Sequence, residues 1–496
     1  MNANGTWTVL SNPEIEQIRE AAYSYVERSG FVVQHKGLLA KANARGASVD
    51  EASGRVRVSR ALCAELMAQV PSRYTIRNML GETWEIGGGA PHGMAIVTDP
   101  WIIDYDTKSP RRPCLEDLRR HTIIADQSEH LPLPPPFRRG LGGGLEGVAG
   151  VSRMDFPVTD VEGPTSSLRA LEAHLLESTR HYQIMAADLE SFDMWRDILR
   201  LLSRGGCISG LASAGIAVQS PLMLNELNGD LLLRAIEEGF AVVPTICPMA
   251  GSTAPYSLIG TLLASHVENL MMALLAQVVR PGSVVQYAAG LSVTDMSSGN
   301  DLYYTMDKVL WKIASVQLSK AERMPVMAEC GGTLVWRYDQ QSGAEGMLFM
   351  LAALSSGADM LTGFGSCHNA VGMSAEMMVI HNAYLNAAKH LVRGIHPVIS
   401  TEGRNPLQKA VESLERVGPG GQFLDDDLTI ELLRSDEFFR DPIFDFSGGL
   451  GDSVSMLERA HERAGQLVAD HKNRVPHDIR ENLQRYFSDI YRRVES

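Results

Sequence analysis

The sequence predicts an α/β protein built on a parallel sheet, and three observations carry that expectation. Across roughly residues 148–400, short apolar runs alternate with longer helix-like stretches. Each run is followed by Gly, Pro, Ser or Thr, and such alternation marks strand–helix units whose crossover helices keep the strands parallel. Seven runs qualify: "GVSRMDF", "HYQIMAA", "GCISGLASAGIAV", "FAVVPTICPM", "SVVQYAAGL", "MPVMAEC" and "ADMLTGF". Seven strands suit a TIM (β/α)8 barrel with one strand hidden better than an open six-stranded sheet. "RGIHPVIS" (393–400) is the candidate for the eighth. No GxGxxG follows the early strands, which disfavours a dinucleotide-binding sheet.

The remaining elements flank this unit. Residues 1–130 read as an N-terminal α+β extension. "NPEIEQIREAAYSYVERSG" has apolar residues at helical spacing and a Gly stop. "GRVRVSRALCAELMAQVP" reads as a short strand and a helix, and "YTIRN", "TWEIGGG" and "WIIDYDT" alternate like exposed antiparallel strands. The Pro-rich then Gly-rich "LPLPPPFRRGLGGGLEG" (131–147) opens the barrel domain, 131–400, as a loop without a core of its own. Residues 401–496 are a C-terminal helical segment packing on the barrel, interrupted at "FDFSGGLGDS".

At 496 residues the chain exceeds one ordinary core of about 250–300 residues, so a large domain with extensions is expected. Its formal charge of −14 repels nucleic acid and anionic membrane. "MNANGTWTVLSNPEIEQ" has neither a basic start nor an apolar core, so no signal peptide is expected and a cytoplasmic location is. "LIGTLLASHVENLMMALLAQVV" contains His266, Glu268, Asn269 and Gln277, which makes it a buried helix rather than a membrane span. The six cysteines are scattered, with no CxxC pair, as reduced thiols would be.

Barrel enzymes build their sites on the loops after the strands. That rule selects Gly251 to Tyr256, Thr294 to Met296, Gly331, Gly332, Trp336, Arg337, Tyr338 and the tetrad Ser366-Cys367-His368-Asn369. Three chemistries compete there. Cys207, Cys247, Cys330 and Cys367 with His368 could bind zinc as a thiolate site, although no local ligand pair exists. Cys367 or Cys330 could be a nucleophile with His368 as base, but neighbouring strand residues point to opposite faces. The third is a polar and aromatic pocket with neither metal nor nucleophile.

"GSTAPYSLIGTLLASHVENLMMALLAQVVRPGSVVQYA", "DMSSGN", "DQQSGAEG" and "MSAEMMVIHNAY" resemble the trimethylamine methyltransferase family of corrinoid-dependent methyltransferases. "GRVRVSRALCAELMAQVPSRYTIRN" and "GPGGQFL" are similar as well, so the resemblance spans nearly the whole chain. It implies a TIM barrel that moves a methyl group from an amine to the cobalt of a corrinoid (cobalamin) carried by a separate protein. Two departures matter. The trimethylamine enzymes of methanogens use pyrrolysine, and every residue here is standard, as in the branch similar to glycine betaine:corrinoid methyltransferase. The segment after the Gly-Gly of the sixth strand reads "TLVWRY" and is one residue shorter than in family members.

The resemblance implies chemistry that needs neither a protein nucleophile nor a tightly bound metal, because the corrinoid supplies the nucleophile. The protein must hold a quaternary ammonium, for which aromatic faces suit. Tyr256, Tyr287, Trp336, Tyr338 and Phe364 are candidates, and Arg337, His368 or Asn369 could take a substrate carboxylate. Asp295, Glu329 and His368 are the candidate catalytic residues; Glu345 and Glu376 complement a cation or cap helices. Expected partners are the corrinoid protein, a small quaternary amine and copies of the chain in a homo-oligomer. The alternatives are a zinc-thiolate methyltransferase, a glutamate-based lyase and a non-catalytic betaine-binding protein.

Overall fold

A computed structural model describes residues 6–89, 91–127, 148–152, 158–163, 165–395, 405–433, 435, 437–448 and 454–494. Helix α1 (Asn12–Arg28) begins with Ser11, whose N–H donates to Glu14 Oε2 at 2.7 Å in a capping box, and it stops before Gly30 at φ +69°. Later helices include α2 (Leu115–Gln127), α3 (Leu258–Val279), α4 (Asp307–Ala321), α5 (Gln340–Ser356), α6 (Ala375–Arg393), α7 (Met456–Ala469) and α8 (His477–Val494).

The central sheet holds β1 (His92–Ile96), β2 (Val148–Ser152), β3 (His181–Ile184), β4 (Ala212–Ala217), β5 (Ala241–Thr245), β6 (Met327–Glu329) and β7 (Met360–Phe364). Its order is β5-β4-β3-β2-β1-β7-β6, with every neighbour parallel. The two edge strands, β5 and β6, both pair with residues 285–287. Val285 bridges to Val242 and Tyr287 to Val326, both parallel. The Gln286 N–H donates to the Val242 carbonyl at 2.9 Å, and the Tyr287 N–H to the Pro325 carbonyl at 2.7 Å. This segment belongs to the expected "SVVQYAAGL" strand, reduced to three residues.

The described residues supply an additional strand at β1, and most of "RGIHPVIS" lies outside them. Arg393 ends α6, Ile395 is 95% exposed, and 396–400 lie outside the described residues. The sequence reading places 92–96 in the N-terminal extension, and the structure puts them in the sheet beside β2 and β7. Their strand–helix signature is broken because the hairpin Trp101–Asp104/Ser109–Arg111 intervenes before α2. The loop expected at 131–147 lies outside the described residues, as do 449–453 of the Gly-rich interruption.

One end of the sheet is closed. The hairpin Tyr74–Arg77/Thr83–Ile86 inserts Ile76, Trp84 and Ile86 against Met94, Met360 and Met327, near the strands' starts. Helix α3 is long and apolar enough to cross a membrane by length and composition, with mean hydropathy 1.5, yet 72% of that stretch is buried inside the protein. Its polar residues explain why. Asn269 donates through Nδ2 to the Ala288 carbonyl at 2.8 Å and accepts the Ala288 N–H at 3.0 Å, fixing the backbone just past 285–287. His266 Nδ1 lies 3.1 Å from the Tyr287 hydroxyl.

Asn269→Ala strips partners from two backbone groups at Ala288. Each orphaned group costs about 1–3 kcal/mol, so the variant unfolds at measurably lower urea concentration than the wild type. An unchanged urea midpoint would show that this amide does not anchor the segment.

Candidate active site

The loops after the strands are stitched together by one side chain. Asn369 Oδ1 accepts the Tyr303 N–H at 2.7 Å, and Nδ2 donates to the Asp301 carbonyl at 2.6 Å. Its own N–H donates to the Thr333 carbonyl at 2.9 Å, while the His368 N–H donates to the Val335 carbonyl at 3.0 Å. His368, Asn369 and Ala370 have φ of +49°, +56° and +64°. Three consecutive non-glycine residues in the left-handed region cost about 1–2 kcal/mol each. The cross-loop hydrogen bonds hold them there. Helix α5 supports the same junction: Glu345 accepts from Thr333 Oγ1 at 2.5 Å and from the Leu334 N–H at 2.8 Å.

This frame sets a charged cluster. The Tyr303 hydroxyl donates to Glu329 Oε1 at 2.7 Å. Lys308 Nζ lies 2.9 Å from Glu329 Oε2, and also 2.9 Å from the centre of the Tyr303 ring. One helical turn on, Lys312 Nζ lies 4.5 Å from the centre of the Phe349 ring. The Tyr304 hydroxyl lies 3.2 Å from Ser366 Oγ. Two glycines make room. A Cβ on Gly332, at φ +118°, would sit 2.1 Å from Tyr304 Cζ. One on Gly290 would sit 2.6 Å from the Tyr303 hydroxyl and 2.7 Å from Cys247 Sγ.

Burial works against every charge in the cluster. It opposes ionisation of Glu329, but Lys308 and Lys312 outweigh it and hold the carboxyl below its ordinary value. Burial lowers Lys308, with Glu329 resisting, and brings Lys312 down to about 8. It pushes the Tyr303 hydroxyl well above its ordinary value. Cys247 has an exposed surface, yet surrounding protein pushes its thiol up to about 11, so it lines a recess rather than an outer face. Burial also raises Cys330 and Cys367. None of the three is a thiolate near neutral pH, so none is poised as a nucleophile. Among the described residues, no three His, Cys, Asp or Glu side chains converge as a metal centre requires.

Of the predicted residues, Glu329 lies in the cluster and Asn369 positions it. His368 is part-exposed beside it, its ring edge-on to Trp101 at 6.4 Å, and burial lowers its pKa. Trp336 is half-buried on the 333–338 loop, and Phe364 is buried in the main core. Tyr256 is 69% exposed on the rim. Tyr287 points into the helix layer, fully buried against His266, because its neighbour Gln286 takes the other strand face. Asp295 closes a turn: its carboxylate accepts from Ser298 Oγ at 2.6 Å, Ser297 Oγ at 2.7 Å and the Ser297 N–H at 2.9 Å. Arg337 is exposed and pairs with Asp339 at 3.0 Å. The Tyr338 hydroxyl bonds Ser374 Oγ at 2.8 Å, and Glu376 binds Arg120 of α2 and His461 of α7 at 3.2 and 2.8 Å. Both residues join structural elements outside the cluster.

Sequence reasoning missed Tyr303, Tyr304, Lys308 and Lys312. A signal was present: in "DKVLWKIASVQLSKA", Lys308, Lys312, Ser315 and Ser319 share the buried face of α4. Lysines on a core-facing stripe are rare without a partner. Asp99, after β1, was missed as well; it is buried, Oδ2 lacks a hydrogen-bond partner, and burial holds its carboxyl well above the usual range.

Lys312 makes stability depend on pH. Between about 8 and its ordinary 10.5 the unfolded chain holds a proton that the folded chain has released, so stability rises with pH across that window. Urea unfolding of the wild type and Lys312→Met at several pH values checks this, and the difference between them moves toward the wild type from pH 8 to 10.5.

Comparison with known proteins agrees along the full length. A family model described as trimethylamine methyltransferase (MTTB) matches residues 1–495. A glycine betaine methyltransferase from Desulfitobacterium hafniense is 25% identical over 473 residues, spanning 94% of this chain and 93% of that protein. An L-carnitine:corrinoid methyltransferase from Eubacterium limosum is 21% identical over 455 residues, covering 88% and 87%. A trimethylamine methyltransferase, MttB, from Methanosarcina thermophila is 22% identical over 493 residues, covering 96% of each. In fold, the crystal structure of monomethylamine methyltransferase (MtmB) from Methanosarcina barkeri matches with a TM-score of 0.50 at 10% identity, over 95% of this chain and 90% of that one. With its family model matched from end to end, this chain is a methyltransferase of the trimethylamine methyltransferase family.

Proposed function

We propose that this enzyme transfers a methyl group from a quaternary amine, glycine betaine or a related betaine, to the cobalt of a corrinoid on a partner protein. The observation that carries the reading is the recess itself. It gathers Glu329, Tyr303, Lys308 and Cys247 at the strand ends, yet its thiols are held protonated. With no thiolate poised there, the site suits an acceptor brought from outside, and a docked reduced corrinoid would supply a Co(I) nucleophile. The relatives that act on glycine betaine and L-carnitine support a quaternary donor, whose neutral tertiary amine leaves without a general acid.

The architecture that suits this task is a (β/α)8 barrel with its ring closed through residues 285–287, which pair with both β5 and β6. In that frame the N-terminal segment supplies the first strand, and residues 401–496 pack outside. The partner docks over the open end. Exposed apolar side chains, Tyr256, Met296 and Met306 on loops and Ile259 in the first turn of α3, offer it contact area. Trp336 supplies a π-face to the ammonium, as attraction of about 0.5–2 kcal/mol per ring allows. The enzyme acts in the cytoplasm.

The test is methyl transfer to free cob(I)alamin, followed at the methylcobalamin band, with glycine betaine, L-carnitine and trimethylamine as donors. The betaines are turned over, and trimethylamine outcompeting all of them would overturn the reading. Trp336→Leu slows transfer from betaines about tenfold through loss of about 1–2 kcal/mol, with the melting temperature unchanged. Full activity in that variant would place the aromatic wall elsewhere.

A further inference from the structure

Lys312 is a buried cation without an acceptor. It is 6% exposed, and its Nζ makes no hydrogen bond. The neighbouring carboxylate makes no hydrogen bond to it: Glu329 Oε1 accepts from the Tyr303 hydroxyl at 2.7 Å, and Oε2 forms an ion pair with Lys308 Nζ at 2.9 Å without a hydrogen bond. Asp301 acts on Lys308 rather than on Lys312. Also near Lys312 are a second ammonium, Lys308, which opposes its charge, the Phe349 face at 4.5 Å, and the Cys330 thiol, which donates its proton to the Thr362 carbonyl at 3.2 Å. An ammonium has three donors, and leaving them unmet in a buried site costs several kcal/mol. Evolution could place methionine there at no such cost. The ammonium therefore points to an anion that none of the described residues provides.

We infer that Lys312, with Lys308 beside it, forms the subsite for the carboxylate of a zwitterionic quaternary amine. This rests on the betaine reading and deepens it by naming the residues that take the carboxylate. The carboxylate accepts from Lys312 Nζ and supplies the missing counter-charge. The π-faces are left for the cationic end. Choline and tetramethylammonium, which have the ammonium but no carboxylate, leave Lys312 unmet and pay its desolvation in full.

The experiment is calorimetric binding of glycine betaine, choline and tetramethylammonium to the full chain, wild type and Lys312→Met, with circular dichroism to confirm folding. The wild type binds glycine betaine at least about tenfold more tightly than choline, as expected for one charge-assisted hydrogen bond. In Lys312→Met that preference collapses, through weaker betaine binding with choline unchanged, and Lys312→Arg keeps part of it. Equal affinity of the wild type for choline and glycine betaine overturns the subsite by itself, even if the variants do not fold. So does a folded Lys312→Met with undiminished betaine preference. The quaternary-amine reading fails separately, if the wild type binds none of the three ligands and transfers no methyl to cob(I)alamin.

Discussion

The side-chain amide of Asn369 is the contact on which the site depends. It holds the 301–303 segment with both of its polar atoms, while its backbone N–H engages the loop after β6. Three loops from separate strands therefore share one junction. Tyr303 takes its place from that junction, Glu329 accepts from Tyr303, and Lys308 pairs with Glu329. The left-handed turn at 368–370 is costly alone. It persists because neighbouring loops supply acceptors for its N–H groups. Strain and polar satisfaction are thus two sides of one arrangement.

Electrostatics in the recess follow from burial more than from any single pair. Desolvation is the largest influence on Glu329, Lys308, Lys312, Tyr303 and Cys247 alike. The groups stay compatible because they compensate one another: two ammoniums keep Glu329 ionised, and Glu329 in turn restrains the fall of the lysines. The same low-dielectric surroundings keep the thiols protonated. None of these thiols is poised to attack a substrate. That suits a reaction whose nucleophile is brought by another protein.

Function and scaffold are coupled at residues 285–290. The 285–287 segment pairs on both sides with only a few backbone hydrogen bonds, so α3 reinforces it through Asn269. A few residues later Gly290 leaves space for the Tyr303 hydroxyl and Cys247. Of the polar residues in α3, Asn269 and His266 hold the 285–290 segment, while Glu268 accepts from Ser220 Oγ and the Leu222 N–H.

Much of this was legible in the sequence, for identifiable reasons. The alternation of apolar runs and helical stretches is a local periodicity, so the α/β class, the strands from 148 onward and the loops that carry chemistry could be read directly. His368 and Asn369 were selected because they follow an apolar strand, whereas Glu329 lies within its strand and was named as a candidate carboxylate from the resemblance. The strand at 92–96 escaped because no helix follows it closely, and Tyr287 was misjudged because strand parity depends on a register that only pairing sets. Asp295 looked like a catalytic carboxylate, but only the folded turn shows its oxygens committed to Ser297 and Ser298. The cluster of Tyr303, Lys308, Lys312 and Glu329 joins a loop, a helix and a strand up to 26 residues apart. Sequence determines which of these residues are charged and which are placed on a core-facing stripe. Which charge meets which partner, and which is left for a ligand, is decided by tertiary packing, because electrostatic interaction depends on distance and burial that no local pattern encodes.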